Sequence, residues 1–167
     1  MSDLIVYEKP LEIAEPYLLM YFLGDNIEHR HMAKKIAQKL GLKIVALPMA
    51  WLEMRDSEVT KIWGNPGEFL SLIKNASFVC TDSFHGTAYS VNYNVNFCSF
   101  YKMKNADKKS ENSRINDFLS LFELEDRIIS TEKQFDSMSV DVDYERVNCL
   151  LSKLRNESWD YLSTMLK

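Results

Sequence analysis

Residues 76–90 read ASFVCTDSFHGTAYS. The apolar run Phe78, Val79 and Cys80 gives way to the polar residues Thr81, Asp82 and Ser83, then to His85 and Gly86. A short apolar run bounded by turn residues is a buried strand. The spacing therefore predicts a strand, a turn holding Asp82, Ser83 and His85, and a short helix over Thr87 to Asn92, opened by Gly86. In an open α/β sheet, ligands bind at such a strand end. The helix N-terminus there offers unpaired N–H groups and a positive dipole end, suited to phosphate or carboxylate. An imidazole beside two small polar side chains can hold an anion and move a proton.

The flanking sequence alternates between two periods. Tyr17 to Leu23 is a continuous apolar run, a buried strand, and Gly24, Asp25 and Asn26 form its turn, with Asn26 as N-cap. Ile27 to Leu40 follows at helical spacing, with Met32, Ile36 and Leu40 on one face and Lys34, Lys35 and Lys39 toward water. Gly41 caps that helix, Lys43 to Leu47 is the next strand, and Pro48 stops it. This is a strand–helix–strand unit with a parallel crossover. Pro48 to Gly64 is less regular, and Trp51 and Trp63 within it either line a pocket or, the favoured reading, pack the segment against the sheet. Asn65, Pro66 and Gly67 restart a helix whose apolar face is Phe69, Leu70, Leu72 and Ile73. Asn96 to Phe100 is a fourth strand. Strands alternating with helices predict an α/β chain with a doubly wound parallel sheet.

Beyond Tyr101 the sequence turns polar, and Lys102 to Glu111 carries four lysines. That stretch is either a solvated loop or a flap bringing cations to an anionic ligand. Asn112, Ser113 and Arg114 begin a helix to Phe122, with Ser113 as cap and Arg114 in the first turn. A cation there opposes the helix dipole, so Arg114 is either a ligand for something negative or half of a surface ion pair. Asp143 to Leu166 reads as a long C-terminal helix with Val147, Leu150, Leu151, Leu154, Trp159 and Leu162 as its buried stripe.

Composition bounds the function. At 167 residues the default is one domain with a sizeable core, and 46% apolar with 26% charged residues is a soluble globular composition. A net charge of −4 argues against nucleic acid as a partner. No apolar run approaches the ~20 residues that span a bilayer. The N-terminus lacks a secretory signal pattern, so a cytoplasmic location is expected. Cys80 and Cys98 lie in strand-like runs and are expected as buried free thiols, with Cys149 far from both. His and Cys are not clustered, and no metal is expected. His29 and His31, two apart on one helix, face different ways and read as surface histidines.

The segments PYLLMYFLGD (16–25), GLKIV (41–45), GEFLSLIKNASFVCTDSFHGTAYS (67–90), NFCSFYK (96–102), NSRI (112–115) and LEDRII (124–129) together resemble the C-terminal half of the polysaccharide pyruvyl transferase family. The resemblance runs over about residues 16–162, leaving 1–15 as an N-terminal extension or linker and 16–167 as a Rossmann-like donor-binding domain. It implies one half of a GT-B-like fold, in which two Rossmann-like halves face each other across a cleft. It also implies transfer of the enolpyruvyl carbons of phosphoenolpyruvate to a surface-glycan or lipid-linked sugar as a pyruvate ketal, without a cofactor. The family's His-Gly turn falls on His85 and Gly86, which makes His85 the general acid or a phosphate ligand. Ser83, Gly86 and Thr87 would frame the substrate at the helix start. Lys102 and Arg114 match basic positions for the donor's phosphate and carboxylate. Asp82 would orient His85 or the turn backbone rather than react.

Two departures stand out. Many members carry Arg-Leu before the His, where this chain has Ser83 and Phe84. An Arg is a bidentate, permanently charged clamp that Ser does not replace, which bears on the donor's identity. A pattern with Asp-Ser-Phe-His marks a second branch of the same family. The other half of such an enzyme has no counterpart here, so the chain is expected to be partial and inactive alone. Its partners would be the missing N-terminal half-domain or, as one reading, a second copy in a homo-dimer.

The chemistry sets the roles. Protonation of the donor's methylene carbon creates an oxocarbenium-like centre, one sugar hydroxyl adds, phosphate leaves, and a second hydroxyl closes the ketal. An acid near neutral pKa suits the first step, and His85 is the histidine placed for it. Helix N–H groups, Lys102 and Arg114 would neutralise the phosphate. Two rival readings are a GT-B-like glycosyltransferase domain using a nucleotide sugar, and a non-catalytic interaction module.

Overall fold

The computed structural model describes residues 13–49, 51–102 and 111–166. Residues 1–12 of the expected extension, residues 103–110 of the lysine-rich loop and the Trp51 side chain lie outside that description.

Strand β1 (Tyr17–Tyr21) ends in the turn at Leu23–Asn26. The Asn26 side chain accepts a hydrogen bond from Glu28 N (3.0 Å) and opens α1 (Ile27–Leu40). Gly41, at φ 66°, closes that helix in the left-handed conformation that glycine adopts without a Cβ clash. Strand β2 (Lys43–Ala46) follows, then the four-residue helix α2 (Trp51–Met54) and β3 (Val59–Lys61). Helix α3 (Pro66–Lys74) opens with a capping box between Asn65 and Glu68. Next come β4 (Phe78–Thr81), α4 (Phe84–Tyr93) and β5 (Phe97–Ser99). Helix α5 (Glu111–Ser120), a 3₁₀ turn at Glu125–Arg127, α6 (Glu132–Ser137) and α7 (Tyr144–Met165) complete the chain.

The five strands form one parallel sheet in the order β3-β2-β1-β4-β5. The two-residue period of a strand sends alternate side chains to opposite faces. Leu18, Met20, Phe78, Cys80 and Cys98 pack on one face against Ala33, Ile36 and Ala37 of α1 and Phe135 of α6. Tyr17, Leu19, Val45, Val79 and Phe97 pack on the other against Leu72 and Ile73 of α3, Val91 of α4, Leu119 of α5 and Val147 of α7. The chain is therefore α/β, a Rossmann-like doubly wound parallel sheet with a long C-terminal helix. Strand order reverses between β1 and β4, which puts the crevice for a ligand above their C-terminal ends. Cys80 and Cys98 are free thiols, as expected, fully buried on adjacent strands with 3.5 Å between their sulfurs.

Several expectations change. The sheet has five strands, not four: β3 is only Val59, Thr60 and Lys61, too short and too polar to show a period. Trp63 is 67% exposed and does not pack against the sheet. The stripe of α7 is buried only at its start. Val147 is covered and Leu150, Leu151 and Leu154 half-covered, but Trp159 is 70% exposed and Leu162 is exposed too. The helix runs past the end of the core it packs on, and its apolar period continues without a surface beneath it. His29 is not a surface histidine. It is half-buried, its ring 4.9 Å from that of Phe100 and 5.8 Å from that of Phe22.

Candidate active site

The turn after β4 is built from its own polar side chains. The Thr81 hydroxyl donates to Tyr21 O (2.7 Å) and accepts from Ser83 N (3.0 Å), tying β4 to β1. Ser83 is the N-cap of α4, and its Oγ accepts from Gly86 N (3.4 Å). The helix thus starts at Phe84, earlier than the sequence suggested, and His85 sits inside its first turn. Gly86 does not open the helix. A Cβ there would lie 3.0 Å from Thr81 Cβ, so glycine is what lets the helix lie against β4. Thr87 is fully buried, with its hydroxyl donating to Ser83 O (3.1 Å) and paired with Ser99 Oγ (2.7 Å). Gly86 and Thr87 therefore form the scaffold behind the site instead of its surface.

Asp82, 3% exposed, does not orient His85. Its Oδ1 accepts from Leu23 N (2.7 Å) and its Oδ2 from Gly24 N (3.0 Å). It orients turn backbone, as one expectation had it, but that of the loop after β1. Burial pushes the phenol of the neighbouring Tyr21 above its usual range, with Ser83 opposing that shift and Asp82 adding to it.

Above these residues lies a cavity of about 180 Å³ lined by Leu23, Asp82, Ser83, Phe84, His85, Lys102, Asn112, Arg114 and Ile115. It draws on the loop after β1, the start of α4, the residue Lys102 beyond β5, and the first turns of α5. Five of the residues named from sequence meet there: Asp82, Ser83, His85, Lys102 and Arg114. His85 is exposed, flanked by the Phe84 ring at 5.9 Å and the Tyr89 ring at 6.4 Å. Helix α5 begins at Glu111, so Ser113 is inside it and is not its cap. The Arg114 guanidinium sits 4.7 Å over the Phe84 ring. It is not half of a surface ion pair with any described residue. Two helix N-termini and two cations therefore surround the cavity, an arrangement that favours a ligand of negative charge.

Sequence reasoning missed Gly24, Phe84 and Tyr21. A Cβ at Gly24 would lie 2.9 Å from Asp82 Oδ2 and 3.4 Å from Lys102 Cγ. The available signal was the strand order, since the loop after β1 is the other wall of any crevice at the switch point. A larger groove of about 620 Å³ runs between α1 and the β2–β3 edge. Its Lys34 and Lys35 are ion-paired with Asp56, Glu58 and Glu132, leaving little charge for a ligand. Among the described residues no group of three or more His, Cys, Asp or Glu could hold a metal ion, and no helix is long and apolar enough to cross a membrane.

The model of the polysaccharide pyruvyl transferase family matches residues 2–101, more than half of the chain. The match starts before the expected Pro16 and includes the Asp82–Thr87 turn. It stops before Lys102 and Arg114. No curated protein matches. Among solved structures, UDP-GlcNAc 2-epimerase from Methanocaldococcus jannaschii aligns at 13% identity and TM-score 0.49, over 91% of this chain and 42% of that one. The same enzyme in complex with UDP-GlcNAc and UDP aligns at 20% identity and TM-score 0.43, over 51% of this chain and 29% of that one. The chain thus spans less than half the length of these structures.

Proposed function

Because the chain belongs to the polysaccharide pyruvyl transferase family, we propose that it is the donor-binding half of such an enzyme, one half of a GT-B-like pair, taking phosphoenolpyruvate as donor and a glycan as acceptor. The observation that carries this reading is the convergence of His85, Lys102 and Arg114 on one cavity at the switch point. Phosphoenolpyruvate carries a phosphate and a carboxylate, and Lys102, Arg114 and the first N–H groups of α4 are the donors for them. The Gly86 N–H is taken by the Ser83 cap, which leaves those of Phe84 and His85, with no acceptor within the helix, for the donor.

His85 is the acid of this scheme. Its proton passes to the donor's methylene carbon, which becomes a methyl group, and positive charge develops at the neighbouring carbon. A first sugar hydroxyl adds there and returns its proton to His85. The C–O bond to phosphate then breaks, and a second hydroxyl adds at the same carbon, its proton leaving with the phosphate. The products are the ketal and inorganic phosphate. Lys102 and Arg114 act on the leaving group, where negative charge builds. Asp82 reacts with nothing and holds the Leu23–Gly24 wall. The acceptor and any second half-domain would approach from the open side of the crevice.

The test is thermal unfolding of the purified chain with millimolar phosphoenolpyruvate, inorganic phosphate or nucleotide sugars. A ligand that binds only the folded state raises the melting temperature. Stabilisation by phosphoenolpyruvate that is lost in His85→Ala is the expected result. Stabilisation by a nucleotide sugar alone would sink this reading in favour of a glycosyltransferase domain.

A further inference from the structure

We propose that Phe84 is a positioning residue for the anion site: its ring carries the Arg114 guanidinium over the cavity, so that the Arg114–Phe84 stack supplies the fixed positive charge which the turn itself lacks. This rests on the reading of the cavity as an anionic donor site.

Ser83 is buried and committed as the cap of α4, so the turn after β4 presents no permanent cation. The charge must come from elsewhere, and Arg114 arrives from a different helix. What fixes it is visible in the rings. Arg114, Phe118 and Phe122 are four residues apart on α5 and its C-terminal extension, and such residues share a helix face. The Phe118 ring meets Phe84 edge-on at 5.5 Å, and Phe122, buried in the core, meets Phe118 at 5.1 Å. The row of rings that docks α5 on α4 thus ends in Phe84, and Arg114 lies over it at 4.7 Å. A guanidinium is attracted to an aromatic face by the ring quadrupole and stacks on it as a plane. Arg114 is otherwise an exposed, rotamer-rich side chain with no carboxylate partner among the described residues. Removing the ring face frees it to leave the cavity. A leucine at position 84 keeps an apolar contact with Phe118 but offers no π face, whereas a tyrosine offers both.

The experiment is calorimetric titration of the whole chain, at low salt, with phosphoenolpyruvate and separately with inorganic phosphate. The proteins are the wild type, Phe84→Leu, Phe84→Tyr, Arg114→Gln and the double variant Phe84→Leu/Arg114→Gln. Phe84→Leu is expected to weaken anion binding about three- to tenfold, the range of an exposed to partly desolvated cation–π contact. Phe84→Tyr should bind within about twofold of wild type, and the double variant no more weakly than Arg114→Gln alone, because both changes remove one interaction. Thermal unfolding of each variant checks that it folds. Wild-type binding by Phe84→Leu, or independent effects in the double variant, overturns the stack while leaving the donor reading intact. If the wild type binds phosphate but not phosphoenolpyruvate, the donor reading falls and the phosphate series alone decides the stack. If it binds neither anion, both fall.

Discussion

At the residue scale, the small side chains behind the site hold it together. Thr87→Val would remove the hydroxyl that bonds Ser83 O and Ser99 Oγ, leaving the buried Ser99 hydroxyl without that partner. An orphaned buried polar group costs about 1–3 kcal/mol, and urea unfolding should show a loss of that size. An unchanged midpoint would mean the Thr87–Ser99 pair is not formed. Gly24→Ala tests the opposite wall. The new methyl would press on Asp82 Oδ2 and on the Lys102 stem, and overpacking of this kind costs about 1–3 kcal/mol. The expected result is weaker phosphoenolpyruvate binding together with a lower melting temperature. Wild-type affinity would show that the wall yields without moving Lys102. His85, Lys102 and Arg114, which line one cavity, could be picked out as candidates because charge and imidazole are visible in a sequence. Phe84 and Gly24 were not, because each acts through what it touches: a ring beneath a cation, and a missing Cβ beside a carboxylate.

At the element scale, α1 carries its own pH sensitivity. Asn26 Nδ2 donates to His29 Nε2 (3.0 Å), a bond that requires the neutral imidazole. Burial lowers the His29 pKa, with Asp82 opposing and Arg30 adding to that shift. A folded pKa below the unfolded value of about 6.5 means that the unfolded chain takes up the proton first as pH falls. Stability is therefore full above that value and declines as pH drops through it toward the folded pKa. His29→Gln should flatten the fall in melting temperature as pH drops below about 6.5, the unfolded value. An equally steep fall in the variant would place the sensitivity in another group. The elements with strong end signals were readable in advance: α1 between Asn26 and Gly41, and α3 from the Asn65-Pro66-Gly67 start. The start of α4 was misplaced because Gly86 looks like a turn residue and is in fact a close-packing one. Strand β3 carried no periodic signal at all.

At the scale of the whole molecule, the alternation of strands and helices was enough for the sheet and its winding, because parallel strands need crossovers that leave a long-period imprint on the chain. The extent of the core was not readable. The apolar stripe of α7 continues to Leu162 and beyond, yet Trp159, Tyr161, Leu162, Met165 and Leu166 are all exposed. Trp159→Ser should accordingly change the unfolding free energy by no more than about 0.5 kcal/mol, as for an ordinary surface substitution. A larger loss, or one that grows with protein concentration, would show that α7 is covered in solution by a contact outside this chain.

The Cys80–Cys98 pair turns the sheet into its own clock. Burial and the neighbouring sulfur both push the Cys80 thiol well above its usual range, so it is shielded from an alkylating reagent twice over, by access and by protonation. Cys149 is exposed on α7 and is labelled from the outset. Mass spectrometry of a timed alkylation would therefore separate one fast adduct from two slow ones, and the slow pair reports how often β4 and β5 part. Those are the strands that carry the Asp82–His85 turn, so the same trace, repeated with a bound anion, measures how firmly a ligand closes the ground beneath the site.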